Sequence, residues 1–251
     1  MHDRLIELKV AIFADGADIT GIRALRQNPI VKGFTTNPTL MRQAGISDYE
    51  EFAHQVLSVV PDLPISFEVF SDDFDEMYMQ ARQIAGWADN VYVKIPITNT
   101  EGASATPLVR TLSQEGVKVN VTAILTREQV DLSIDALHGG APAYISVFAG
   151  RIADTGRDPI PVMTSTVDKL QREPGVELIW ASPRELLNIF QADQIGCHVI
   201  TVTHEMLKKL STVGRDLDQF SLETVQMFRR DAVAAGFQLT PERVAVSAVA
   251  N

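Results

Sequence analysis

The chain has 251 residues, of which 45% are hydrophobic and 22% charged, and its formal net charge is -10. That is material for one large domain or two small ones, and the acidic balance argues against nucleic acid or an anionic membrane as a partner. The one cysteine, Cys197, cannot close an internal disulfide and reads as a small buried hydrophobe. The start "MHDRLIELKV" is too short and too charged for a signal peptide. With no apolar run near the roughly 18–20 residues that span a bilayer, the expectation is a soluble, cytoplasmic protein.

In chain order, β-rich runs fall at residues 9–15 ("KVAIFAD"), 32–37 ("KGFTTN"), 63–70 ("LPISFEVF") and 91–97 ("VYVKIPI"). They continue at 117–124 ("VKVNVTAI"), 143–149 ("AYISVFA"), 176–182 ("VELIWAS") and 197–203 ("CHVITVT"). Helical patterns such as "DDFDEMYMQARQIAGWA" and "SPRELLNIFQADQIG" separate most of them, which implies βαβ units and a parallel sheet. Two helix starts read as capping boxes, Thr126 to Gln129 and Ser182 to Glu185, the second with Pro183 at the first helical position. Gly86, Gly116, Gly139, Gly140 and Gly196 fall near helix ends, where a left-handed cap is wanted. Eight such repeats predict one closed α/β barrel, a (β/α)8 TIM barrel over residues 1–210. A doubly wound sheet is the competing architecture, but no G-x-G-x-x-G follows any strand. Residues 211–251 show a helix or two and no further strand. They read as a helical tail packed on the barrel or on a neighbouring subunit.

Several strands are polar on one parity only. In "NVYVKIPIT" Val91, Val93 and Ile95 alternate with Tyr92 and Lys94. Val117, Val119 and Val121 alternate with Lys118, Asn120 and Thr122; Ile65, Phe67 and Val69 with Ser66 and Glu68; Ile145 and Val147 with Tyr144, Ser146 and Phe148. Strands covered on both faces are nearly all apolar, so this pattern needs an explanation. In a β/α barrel the C-terminal strand ends form the active-site face. Asp15, Asn37, Glu68, Lys94, Asn120, Thr122 and Ser146 therefore converge on one mouth. Each alone has a plainer reading, a turn-forming Asp or Asn or a rim Lys; their recurrence on successive strands does not. A lysine in a barrel mouth loses solvation, which favours its neutral, nucleophilic form and so Schiff-base formation with a carbonyl substrate. Carboxylates at Asp15 and Glu68 would supply the proton transfers such chemistry requires.

The blocks "IFADGAD", "GFTTNPTL", "FEVF", "VYVKIPIT", "VNVTAIL", "SVFAGRIAD" and "WASPREL" resemble the transaldolase family, in family order from about residue 9 to 210. The resemblance implies Lys94 as the Schiff-base lysine and Asp15 as the carboxylate that takes the substrate hydroxyl proton. It implies that Glu68 and Thr122 hold a catalytic water, and that Thr35, Asn37 and Asn120 meet the substrate, the two asparagines at its hydroxyls. Ser146 and Phe148 would lie against the substrate carbons, with Arg151, Ser182 and Arg184 on its phosphate. Two guanidiniums beside a helix N-terminus also make chemical sense as an anion site on an acidic protein. Glu68 and Phe148 resemble transaldolases proper, where the related fructose 6-phosphate aldolases resemble Gln and Tyr. Gly16 stands where a Thr is usual, which keeps Asp18 as a fallback for Asp15.

The implied activity is transfer of a dihydroxyacetone unit from a ketose phosphate to an aldose phosphate, with no cofactor, in a homo-oligomeric enzyme of the pentose phosphate pathway. The alternatives are an aldolase, a transaldolase for a modified anionic sugar, or a non-catalytic sugar-phosphate binder. The five histidines, at 2, 54, 138, 198 and 204, lack metal-ligand spacing, and "THEML" lacks the second His of H-E-x-x-H. No metal is expected, and His198 reads as a satisfied core histidine.

Overall fold

The computed structural model describes residues 7–239. Its described chain forms two compact units that part between Ser211 and Thr212. In the first, eight parallel strands close into a barrel in sequential order. They are β1 (Ala11–Asp15), β2 (Val31–Thr35), β3 (Ile65–Glu68), β4 (Val91–Pro96), β5 (Val119–Ile124), β6 (Ala143–Val147), β7 (Val176–Trp180) and β8 (Val199–Thr203). All eight expected strands are present, most one to three residues shorter than their apolar runs.

The helices of this unit are α1 (Ile19–Arg26), α2 (Pro38–Gln43), α3 (Tyr49–Val59), α4 (Phe74–Ala85) and α5 (Thr106–Gln114). They continue as α6 (Arg127–Leu137), α7 (Ala149–Asp154), α8 (Ile160–Leu170), α9 (Leu187–Gln194) and α10 (His204–Lys208). The 126–129 capping box forms, with Thr126 accepting from the Gln129 N–H and Gln129 reaching back to the Thr126 N–H. The 182–185 box does not. Ser182 adopts a left-handed φ of 61°, and α9 begins only at Leu187. Its place is taken by Asn188, whose Oδ1 accepts from the N–H groups of Arg184 and Glu185. Gly116, Gly139 and Gly196 take positive φ as expected; Gly86 and Gly140 do not.

The strand parity is as expected. Val91, Val93 and Ile95 are buried beneath the helices, each such side chain contributing about 1.5–3 kcal/mol on transfer from water. The opposite parity enters the barrel. Phe13, Tyr144, Ile179, Ala181 and Val199 pack there, with Tyr92 and Phe148 against them. The Phe13 and Tyr144 rings meet edge to face at 5.7 Å. Gly33 makes room for this packing, since a Cβ at that position would lie 2.6 Å from the Phe13 ring. The barrel is thus plugged, and the polar inward residues sit where the plug ends.

The second unit contains α11 (Leu217–Ala234), capped by Asp216, which accepts from the Gln219 N–H at 2.8 Å. Arg215 pairs with Glu223 and stacks over the Phe220 ring at 4.3 Å. None of the helix's residues is buried, and Leu217, Phe220, Leu222, Val225 and Phe228 are among its exposed apolar side chains. The last ten residues, for which the sequence suggests no role, lie outside the described residues. No described helix is long and apolar enough to cross a membrane.

Candidate active site

The C-terminal ends of the strands surround a cavity of about 470 Å³. Lys94 enters it from β4, opposite Glu68 of β3 on one side and Asn120 of β5 on the other. The lysine is 7% exposed. Its Nζ lies 2.9 Å from Glu68 Oε2 and donates to the Thr36 carbonyl at 3.0 Å. Lys94 and Glu68 thus form an ion pair, which places a carboxylate beside Nζ as a proton acceptor. Burial of one charge without the other would cost several kcal/mol, so this pair is held together by mutual need.

Asp15 closes β1 on the same cavity. Its Oδ1 accepts from the Thr35 hydroxyl at 2.7 Å, and Thr35 Oγ1 lies 2.5 Å from Thr201 Oγ1 on β8. With the Thr35 proton committed to Asp15, Thr201 must be the donor in the second contact. Burial raises the Asp15 pKa above the ordinary carboxylate value; the nearby Lys94 ammonium and the Thr35 hydrogen bond draw it back down. Asp18 is not the fallback. It caps α1, accepting from Thr20 and Gly21 N–H groups.

On the far side of Lys94 the polar residues fall into two groups. Asn120 is fully buried and already engaged: it donates to Ser66 Oγ at 3.0 Å and accepts from Ser146 Oγ at 2.7 Å. Ser146 lines the cavity, while Asn120 supports it from behind. Thr122 also lines the cavity, and its Oγ1 is buried with no protein partner among the described residues. A buried hydroxyl of that kind is poised for a bond to something the protein does not supply. The next residue, Ala123, takes a left-handed φ of 62° where the β5–β6 register shifts. For a residue with a Cβ that conformation costs roughly 1–2 kcal/mol, and such strain gathers at functional sites.

At the mouth, Asn37 caps α2, accepting from the Leu40 N–H at 3.0 Å, and lines the cavity beside Thr35. Phe148 and Arg151 line it too, the Arg151 guanidinium 5.4 Å from the centre of the Phe148 ring. Ser182 completes that side in its left-handed turn, against Gly150: a Cβ on Gly150 would fall 1.5 Å from the Ser182 carbonyl oxygen. Arg184 stands apart. Its guanidinium is held in a two-point ion pair by Asp154, Nε to Oδ1 at 3.0 Å and Nη2 to Oδ2 at 2.5 Å, and it is not part of the cavity lining. The helix N-terminus expected beside it is displaced to Leu187.

Thr201 is a site residue that the sequence pattern alone does not single out, since "VITVT" reads simply as a strand; its inward parity is the signal that could find it. Ser66 is visible in the sequence as an inward residue, without a role. Among the described residues, no group of His, Cys, Asp and Glu side chains could hold a metal. His198 accepts from the Leu178 N–H at 3.0 Å, as a satisfied histidine should. Cys197 is buried, and burial pushes its thiol up to about 12.

Comparison with known proteins bears on this geometry. Residues 12–242 match the family model described as transaldolase/fructose-6-phosphate aldolase. A probable transaldolase of Dehalococcoides mccartyi is 38% identical over 201 residues, covering 79% of this chain and 89% of that one. A probable transaldolase of a Thermoanaerobacter species is 35% identical over 228 residues, 90% of this chain and 99% of its own. Among solved structures, KGPDC from Streptococcus mutans superposes with a TM-score of 0.54 at 13% identity, over 79% of this chain and 89% of its own, a likeness of fold alone.

Proposed function

The chain belongs to the transaldolase/fructose-6-phosphate aldolase family, and on that premise we propose that it transfers a dihydroxyacetone unit from a ketose phosphate to an aldose phosphate through a Schiff base on Lys94. The observation that carries this reading is the buried ammonium of Lys94, 2.9 Å from Glu68, in a cavity it shares with Asp15 and Thr122. Lys94 gives its proton up and adds to the ketose carbonyl. Glu68 and the unpartnered hydroxyl of Thr122 steer the water that leaves as the imine forms and returns as it is hydrolysed. Asp15, oriented by Thr35, takes the proton of the hydroxyl on the carbon that departs as an aldehyde. The enamine left on Lys94 meets Phe148, which has no proton to give, and so waits for an acceptor aldehyde. Asn37 and Ser146 contact the substrate, Asn120 acting through Ser146, while Arg151 and Ser182 take its anionic end.

Arg184 joins them only if the anion competes with Asp154 for it. That competition favours a second reading of the substrate, not of the chemistry: a donor whose terminal anion differs from a phosphate monoester. The cytoplasm and the pentose phosphate pathway suit the first reading. We assign residues 211–251 as a tail whose apolar helix is covered by a neighbouring subunit; a monomer by light scattering would refute that. The activity is tested by glyceraldehyde 3-phosphate release from fructose 6-phosphate with and without erythrose 4-phosphate, beside borohydride trapping of the donor on Lys94. Release only with acceptor is expected. Release without it would make the protein an aldolase, and neither release nor trapping would move the reading to another sugar.

A further inference from the structure

The end of β3, on which Glu68 stands, is held by a side chain that the chemistry above leaves without a role. Tyr49 is the first residue of α3. Its hydroxyl accepts from the Glu68 N–H at 2.8 Å and donates to the Glu68 carbonyl, also at 2.8 Å. One phenol thus satisfies both backbone groups of one strand residue.

That arrangement replaces a step of the barrel's own ladder. β2 and β3 pair with Phe34 opposite Ile65 and Thr35 opposite Ser66, and the Thr36 N–H still reaches the Ser66 carbonyl at 3.1 Å. In parallel strands the bonds are evenly spaced, a residue of one strand bonding to two alternate residues of the other. One further step of this register would send the Glu68 N–H to the Thr36 carbonyl. That carbonyl instead accepts from the Lys94 ammonium at 3.0 Å. The N–H that would compete for it has been taken by Tyr49. On its other edge β3 continues normally, with the Val69 N–H on the Lys94 carbonyl at 3.1 Å.

We propose that Tyr49 is a positioning residue for the reaction: it stops the β2–β3 ladder one step short, fixes the backbone of Glu68, and leaves the Thr36 carbonyl free for Lys94. The phenol is well placed to do so. Its ring is wedged among Phe67, Phe70 and Trp87, with centroids 6.4, 5.6 and 5.8 Å away, so the oxygen has little freedom to wander. Burial raises the Tyr49 pKa, so the hydroxyl keeps the proton it donates. The inference rests on the reading of Lys94 and Glu68 given above.

Tyr49→Phe removes one oxygen and keeps the ring in its cluster. Without it the Glu68 N–H can turn to the Thr36 carbonyl and compete with the ammonium. Misplacement of reacting groups by a fraction of an ångström to one ångström costs rate, so Y49F is expected to lower kcat and the rate of borohydride-trapped imine formation about tenfold, with KM within about twofold of the parent. Circular dichroism and a melting curve establish that the variant is folded at the assay temperature. Trp87→Phe is the structural control, since it loosens the same aromatic cluster without touching Glu68. A Y49F kcat within about twofold of the parent overturns the proposal, as does an equal loss in W87F. Glu68→Gln separates the two readings. If E68Q is fully active the role given to Glu68 falls, and Tyr49 is then judged on Lys94 alone: slowed imine formation in Y49F upholds it and parent-like imine formation overturns it.

Discussion

Replacing Asp15 by Asn should remove activity and stabilise the fold, and the two effects have one cause. The Asp15 carboxyl is half-buried at the cavity wall, and its loss of solvation raises its pKa above the ordinary value while Lys94 and Thr35 partly offset the rise. A carboxyl whose pKa is higher folded than unfolded holds its proton in the native state over a window in which the unfolded chain has released it. Stability therefore falls as pH rises from about 3.9, the unfolded value, through the raised native value, and the whole penalty is present above that window. Asn keeps an acceptor for the Thr35 hydroxyl at 2.7 Å and carries no charge to desolvate. It gives up the attraction to Lys94, which limits the gain to the scale of other active-site relaxations, about 1 kcal/mol, or about 2–4 °C in a chain of this size. Turnover should fall by about 10²–10⁴, the usual loss for a removed acid/base group. Urea denaturation of parent and D15N at a series of pH values provides the assay. The difference should be near zero at about pH 4 and rise to a plateau towards neutrality. A difference of the same size at every pH, or a D15N protein that is less stable at neutral pH, would refute the view of ionised Asp15 as a poorly solvated charge.

Lys94→Met should abolish turnover and imine trapping. It leaves Glu68 without its partner and the Thr36 carbonyl without its donor, for a loss of about 3–5 kcal/mol that Lys94→Met combined with Glu68→Gln should largely restore; urea midpoints decide this. Gly150→Ala would drive a Cβ into the Ser182 carbonyl. It is expected to lose about 1–3 kcal/mol and to raise KM more than it lowers kcat, with an unchanged KM counting against an anion end at Ser182. Phe148→Tyr puts a hydroxyl into the cavity and should give glyceraldehyde 3-phosphate release without acceptor; continued dependence on acceptor would mean that the enamine is guarded by something else.

The barrel is legible in the sequence because its strands are short, punctuated and polar on a single parity. Alternation alone puts Lys94 on the inner face, and the strand register sets it between Glu68 and Asn120. Where sequence and structure part, local chemistry is overridden from a distance. "SPRE" has every local sign of a capping box, yet Ser182 is left-handed, with its carbonyl packed where a Cβ on Gly150 would have to go. The helix starts at Leu187, and Asn188 in its first turn accepts from the Arg184 and Glu185 N–H groups. Nothing within those four residues records the presence of Gly150, so propensity has no means of anticipating it.

The site is legible for the same reason and to the same depth. Parity says which residues face inward; it does not say which of them touch each other. Asn120 and Ser146 look alike in the sequence, two polar inward residues on neighbouring strands, but hydrogen bonding makes one the support of the other and leaves only Ser146 at the cavity. Arg184 and Arg151 look alike as cations near the mouth, but Asp154 holds the first and the Phe148 ring lies under the second. Tyr49 carries no signal at all, because its role is to replace a backbone bond, and a missing step of a ladder can be seen only once the register of two strands is known. Sequence alternation thus locates a catalytic face, whereas the second layer that orients it is written in contacts between elements far apart in the chain.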